Sequence, residues 1–156
     1  MIALAVFVLL SQPDQLELLR ADPSRVGNAV EELLRYVSIN HVAVGATAAE
    51  DVELAGRTVK AGEVVTVSLA AANRDPEKFP RPDELDVTRS ASGHLAFSQG
   101  IHMCIGQHLA RLELQIGLAG LLARFPGLRL AVPAEDVPLF GLDYGFYRVR
   151  ELLVAW

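Results

Sequence analysis

The sequence predicts a mainly α-helical protein with small β-sheets, an α+β fold in which a long helix leaves a cysteine-bearing loop. Three observations predict it. Apolar residues recur at helical spacing over residues 2–36 and again over 105–124. Between these stretches, residues 37–67 turn to short alternating runs broken by Ala55-Gly56 and Ala61-Gly62, the pattern of small paired strands. Ahead of the second helical stretch, a polar loop with glycines surrounds the single cysteine, Cys104.

Residues 2–10 are apolar all round, as a helix destined for a core must be. No capping residue precedes them, so the stretch reads as a helix entered partway along. Ser11 with Asp14 resembles a capping box, and Pro13 falls in the first turn, where its missing N–H does no harm. A short helix to about Arg20 should follow. Asp22-Pro23 repeats the signal, and the next helix runs to about Tyr36 with Val26, Ala29, Val30, Leu33 and Leu34 buried. On it, Glu32 and Arg35 are three apart and can pair along one face; taken alone, such a pair is a solvated one of little consequence.

Val52 and Leu54 alternate, Ala55-Gly56 makes a turn, and Thr58-Val59-Lys60 returns, so a hairpin-based sheet is expected. Ser68 to Ala72 is a short helical stretch, and Asn73 to Pro82 is turn-rich and irregular. Residues 105–124 form the longest helix, with Leu109, Leu112, Ile116 and Ala119 or Gly120 on one apolar stripe and Arg111, Glu113 and Arg124 as polar points. Pro126-Gly127 stops it. Residues 128–132 and 148–156 read as terminal extended segments.

The 156 residues supply one domain, 1–156, able to bury a sizeable core. A net charge of −5 favours neither nucleic acid nor an anionic membrane surface. The opening run Met1–Leu10 is too short to span a bilayer and lacks a basic flank, so no membrane role is expected. One cysteine excludes an internal disulfide and fits a reducing cytoplasm.

The stretch Phe97-Ser98-Gln99-Gly100-Ile101-His102-Met103-Cys104-Ile105-Gly106 carries the chemistry. Helix N-termini present free N–H groups and a positive dipole end, both of which stabilise a thiolate. Gly100 and Gly106 suit sharp bends or close approach to a flat partner. Phe97 can lie against a planar ligand, and His102 can reach an acidic group at its edge. A lone cysteine is most often a small buried hydrophobe. A zinc site needs more ligands than His41, His94, His102 and His108 offer at their spacing. Spacing also allows a Cys–His nucleophile, although no third orienting residue is evident. The flanking residues favour a haem iron held by one axial thiolate.

The pattern Phe97-x-x-Gly100-x-His102-x-Cys104-x-Gly106, continuing into Leu109-Ala110-Arg111, resembles the cysteine-loop signature of the cytochrome P450 family in its soluble bacterial form. The resemblance implies haem (heme, iron protoporphyrin IX) as cofactor, Cys104 as its metal ligand, and Phe97, Gly100, His102 and Gly106 as cofactor-binding residues. It implies an oxidoreductase of the monooxygenase or peroxygenase type, served by a redox partner or a complementary chain. Glu32-x-x-Arg35 matches the family's second signature, a structural ion-pair network that Arg89 would complete, and Asn73-Arg-Asp-Pro to Pro82 resembles its meander.

The likeness covers the C-terminal, haem-binding portion of the family, beginning after the acid–threonine element of the distal helix. The single domain 1–156 is therefore expected to be a truncated one. Independent activation of O₂ is then in doubt, and peroxide-driven oxidation is the more natural solo activity. Two departures stand out: Ala46 occupies a position where relatives carry a propionate-binding arginine, and Ser98-Gln99 replaces Gly-His. The alternative is a non-catalytic, regulatory or scaffold protein of the same descent. Elements built to meet a missing half would expose apolar surface, so a homo-oligomer or a complex is expected.

Overall fold

The computed structural model describes residues 1–42, 45–140 and 146–156. Four helices enclose the core: α1 (Ile2–Leu10), α2 (Pro13–Ala21), α3 (Val26–Val37) and, after the one-turn α4 (Leu69–Ala72), the long α5 (Gln107–Arg124). Among the described residues there are four two-stranded antiparallel ribbons. They pair β1 (Ala46–Thr47) with β4 (Val64–Val65), β2 (Val52–Leu54) with β3 (Arg57–Val59), β5 (Arg129–Leu130) with β8 (Val154–Ala155), and β6 (Leu139–Phe140) with β7 (Arg148–Val149). The mixture is the α+β fold expected.

The core is set by helical spacing. Ala5, Val6 and Leu9 of α1, Leu16 and Leu19 of α2, and Ala29, Val30 and Leu33 of α3 converge on Leu114 and Leu118 of α5. Val87 and Leu85 come in from the irregular stretch between α4 and α5. Asp22 caps the 3₁₀ turn Pro23–Arg25 by accepting the Ser24 N–H, as its Asp-Pro sequence suggests. Ser68 likewise caps α4 by accepting from the Ala71 N–H. In the β2–β3 hairpin Ala55 and Gly56 both take positive φ, 50° and 76°, the twist that a two-residue hairpin needs. Residues 43 and 44 of the expected β region lie outside the described residues.

One expectation is corrected. Ser11 does not cap α2; its hydroxyl donates backward to the Phe7 carbonyl at 2.8 Å. The two helices bend by 105° across Ser11-Gln12, so Ser11 closes α1 and Gln12 takes the N-cap place without a side-chain bond. The stripe of α5 is real, but it faces out: Leu109, Leu112 and Ile116 are more than half exposed, and Ala119 and Gly120 are exposed beside them. Burial falls instead on Leu114 and Leu118. The helix has two apolar faces, and only one meets the core. The ribbon β6–β7 includes a strand, Leu139–Phe140, that two residues of pattern are too short to announce. Among the described residues no single helix is long and apolar enough to cross a membrane.

Candidate functional site

Cys104 lies in the approach to α5, between the 3₁₀ turn Gly100–His102 and the helix N-cap, Gly106. Its peptide is fastened on both sides. The Cys104 N–H donates to the Phe97 carbonyl at 2.9 Å, and the Gln107 N–H donates to the Cys104 carbonyl at 3.2 Å. Ser98 and Gly100 carry positive φ, 61° and 76°, which folds the loop back so that this closure is possible. Cys104 itself is exposed.

The surroundings of the sulfur are open and apolar. A side chain placed on Gly100 would point into free space, and one on Gly106 would come within 3.9 Å of the Cys104 sulfur. Gly106 therefore keeps volume clear beside the thiol, and Gly100 serves the loop through its positive φ. Ile101 and Ile105 are almost fully exposed, and Leu109, Leu112 and Ile116 of the outer stripe of α5 are exposed as well. Phe97 is half-buried against the core with the Arg111 guanidinium over its ring, 4.7 Å from the centroid. His102 is exposed at the end of the 3₁₀ turn.

A second cluster fixes the irregular stretch before the loop. Glu32 and Arg35 are fully buried on α3 and pair through two bonds: Arg35 Nε donates to Glu32 Oε2 at 2.7 Å, and Nη2 donates to Oε1 at 2.8 Å. The remaining Arg35 donors reach the carbonyls of Asn73, Pro82 and Glu84. Arg89 Nε donates to Glu32 Oε1 at 3.2 Å, and its other nitrogens reach the Pro80, Arg81 and Glu84 carbonyls. Glu32 also accepts the Asp86 N–H. The structure thus brings Glu32, Arg35 and Arg89 together, and their bonds tie residues 73–89 to α3.

Sequence reasoning missed three participants. Asn73, fully buried, accepts the Leu95 N–H at 2.6 Å and donates to the Ser38 hydroxyl at 2.8 Å. Glu31, beside Glu32 but on the next face of α3, accepts from Arg111 Nε at 2.7 Å and Nη2 at 3.1 Å. His94 completes the set. Its Nδ1 accepts the Ala96 N–H, so Nε2 carries the proton and donates to Glu31 Oε2 at 3.0 Å. The local signals for these residues are faint, because their partners lie 22 to 80 positions away.

Partial burial pushes the Glu31 carboxyl up, but hydrogen bonds from His94 and Arg111, with the nearby positive charge, outweigh it and lower its pKa to about 2 from 4.5. A carboxylate whose folded pKa is depressed stabilises the fold above its unfolded value and loses that contribution as pH falls. The expected window is from about pH 4.5 down to about 2. Thermal midpoints followed through that window should fall more steeply for the wild type than for Glu31→Gln; parallel curves would show that this ion pair adds nothing.

The family model for cytochrome P450 matches residues 26–138, most of the chain. The chain belongs to the cytochrome P450 family. Cytochrome P450 105C1 from a Streptomyces species is 55% identical over 99% of this chain and 40% of its own length. Vitamin D3 dihydroxylase from Streptomyces griseolus is 51% identical over 100% of this chain and 38% of its own. Among solved structures, CYP105P2 of Streptomyces peucetius, in complex with a biphenyl compound, superposes with a TM-score of 0.96 at 48% identity, covering 100% of this chain and 39% of its own. The chain therefore spans about two fifths of the length of these relatives. Its relatives are bacterial P450 monooxygenases, and members of the family use iron protoporphyrin IX ligated by a cysteine thiolate. The residues present fit the thiolate side of that group: one exposed cysteine, a neighbouring glycine, Gly106, that keeps space clear beside its sulfur, and exposed apolar side chains at Ile101 and Ile105.

Proposed function

We propose that this chain forms the thiolate-side wall of a haem site in an oxidoreductase of the monooxygenase type, with Cys104 as the axial iron ligand. The observation that carries the reading is the exposed Cys104 sulfur on a loop whose peptide is fastened at both its N–H and its carbonyl. When bound, the haem would supply the oxygen-activating redox chemistry. The chain's own residues hold and shape its seat. Gly106 leaves space beside the sulfur, Gly100 lets the loop turn back, Phe97 walls the loop from the core side, and His102 would meet a propionate. Glu32, Arg35 and Arg89 play a structural part, keeping the stretch that leads into the loop folded onto α3.

A specific observation keeps the non-catalytic reading in play. Residues 2–10 of α1 hold no Asp, Glu, Ser or Thr. Ala46, on β1, offers no charge to a propionate either. The open apolar surface along Ile101, Ile105 and the outer stripe of α5 is where further protein, an electron donor or a complementary chain, would close the site. A haem titration followed through the Soret band, with the ferrous carbonyl spectrum of the same sample, tests the reading. Uptake with the red-shifted carbonyl band supports it; no uptake would leave only the scaffold role.

A further inference from the structure

We propose that Glu31 is a positioning residue for Cys104, acting through Arg111 on the two residues that fasten the cysteine peptide. The proposal deepens the reading of Cys104 as iron ligand and rests on it. Arg111, one turn into α5, touches both of those residues. Its guanidinium covers the ring of Phe97, whose carbonyl takes the Cys104 N–H, and its Nη1 donates at 2.8 Å to the side chain of Gln107, whose own N–H meets the Cys104 carbonyl. Glu31 holds the same guanidinium from the other side by two bonds, of 2.7 and 3.1 Å. A bidentate carboxylate fixes both the place and the tilt of the guanidinium plane. The plane in turn sets the Phe97 ring, and with it the carbonyl that anchors Cys104.

His94 adds a second hold on the same segment. Its ring, 2% exposed, is oriented by Glu31 at one nitrogen and by the Ala96 N–H at the other. It stands 6.2 Å from the Phe97 ring, centroid to centroid. Residues 94–97 are thus fixed by one carboxylate on α3 at two points, and the core helix is linked to the cysteine peptide through Arg111 and the backbone of Phe97 and Gln107. A surface ion pair of similar exposure does none of this; its loss is felt only where its two ends meet.

The test uses amide exchange in the haem-free chain, where Cys104 N–H reports the seat and Leu33 N–H, in the middle of α3, reports global opening. Glu31→Gln removes the charge and keeps the shape; Arg111→Met removes the guanidinium and serves if the first variant fails to fold. Each is expected to speed exchange at Cys104 about tenfold more than at Leu33, whose own change reads the global loss of the ion pair; tenfold is the scale of one charge-assisted hydrogen bond. In haem-loaded samples the red-shifted carbonyl band should give way in part to the unshifted one. Unchanged Cys104 exchange, or equal acceleration at Leu33, overturns the proposal. A wild-type sample without the red-shifted band overturns the ligand reading instead, whatever the exchange rates show.

Discussion

Glu32→Ala is expected to destabilise the protein by about 3–5 kcal/mol, the cost of leaving a buried charge without its partner. Arg35 is fully buried, with Nε and Nη2 committed to this carboxylate, and no water reaches it to replace the lost acceptor. Asp86 N–H and Arg89 Nε lose their acceptor in the same step. For a chain of this size the loss corresponds to a fall of roughly 6–20 °C in the thermal midpoint. Glu50→Ala, at an exposed position, supplies the control and should stay within about 0.5 kcal/mol. A midpoint for Glu32→Ala equal to that control would mean that residues 73–89 are held by something other than the α3 charges.

Cys104→Ser should have the opposite profile: little change in stability and complete loss of the thiolate signature. Cys104 is exposed, and serine has nearly its shape, so the thermal midpoint should move by no more than an ordinary surface substitution. The backbone bonds to Phe97 and Gln107 survive, because they use the peptide rather than the sulfur. Haem mixed with the variant should then give no red-shifted ferrous carbonyl band. Persistence of that band would sink Cys104 as the ligand, and there is no second cysteine to take the role. The pair of variants separates the two duties of the region. One group of residues holds the loop in place, and one atom would bind the iron.

Much of this was legible in the chain because it is local. The helix over residues 26–37 follows from apolar spacing, and Glu32-x-x-Arg35 sits on it as a visible pair. The hairpin at Ala55-Gly56 and the loop around Cys104 are marked by residues whose backbone freedom the turns require. What escaped detection depends on which face the fold covers. The spacing of Leu109, Leu112 and Ile116 defines a row correctly, yet Leu114 and Leu118 make a second row, and periodicity cannot say which one α3 will meet. The capping box at Ser11 failed for a related reason: a hydroxyl between two helices can serve either, and the bend gave it to the first. Glu31, His94 and Arg111 come together only when α3 and α5 are packed, and no short pattern encodes that meeting.

Ser38, where α3 ends, holds a left-handed backbone (φ 43°, ψ 64°) in a buried position. Its hydroxyl donates to the Arg35 carbonyl and accepts from the Asn73 amide. Glycine would adopt the corner without strain but would strand that amide in the interior, while alanine would keep the strain and strand it as well. The two simplest replacements thus fail for different reasons, and the bend asks at once for a left-handed backbone and a side chain that both donates and accepts.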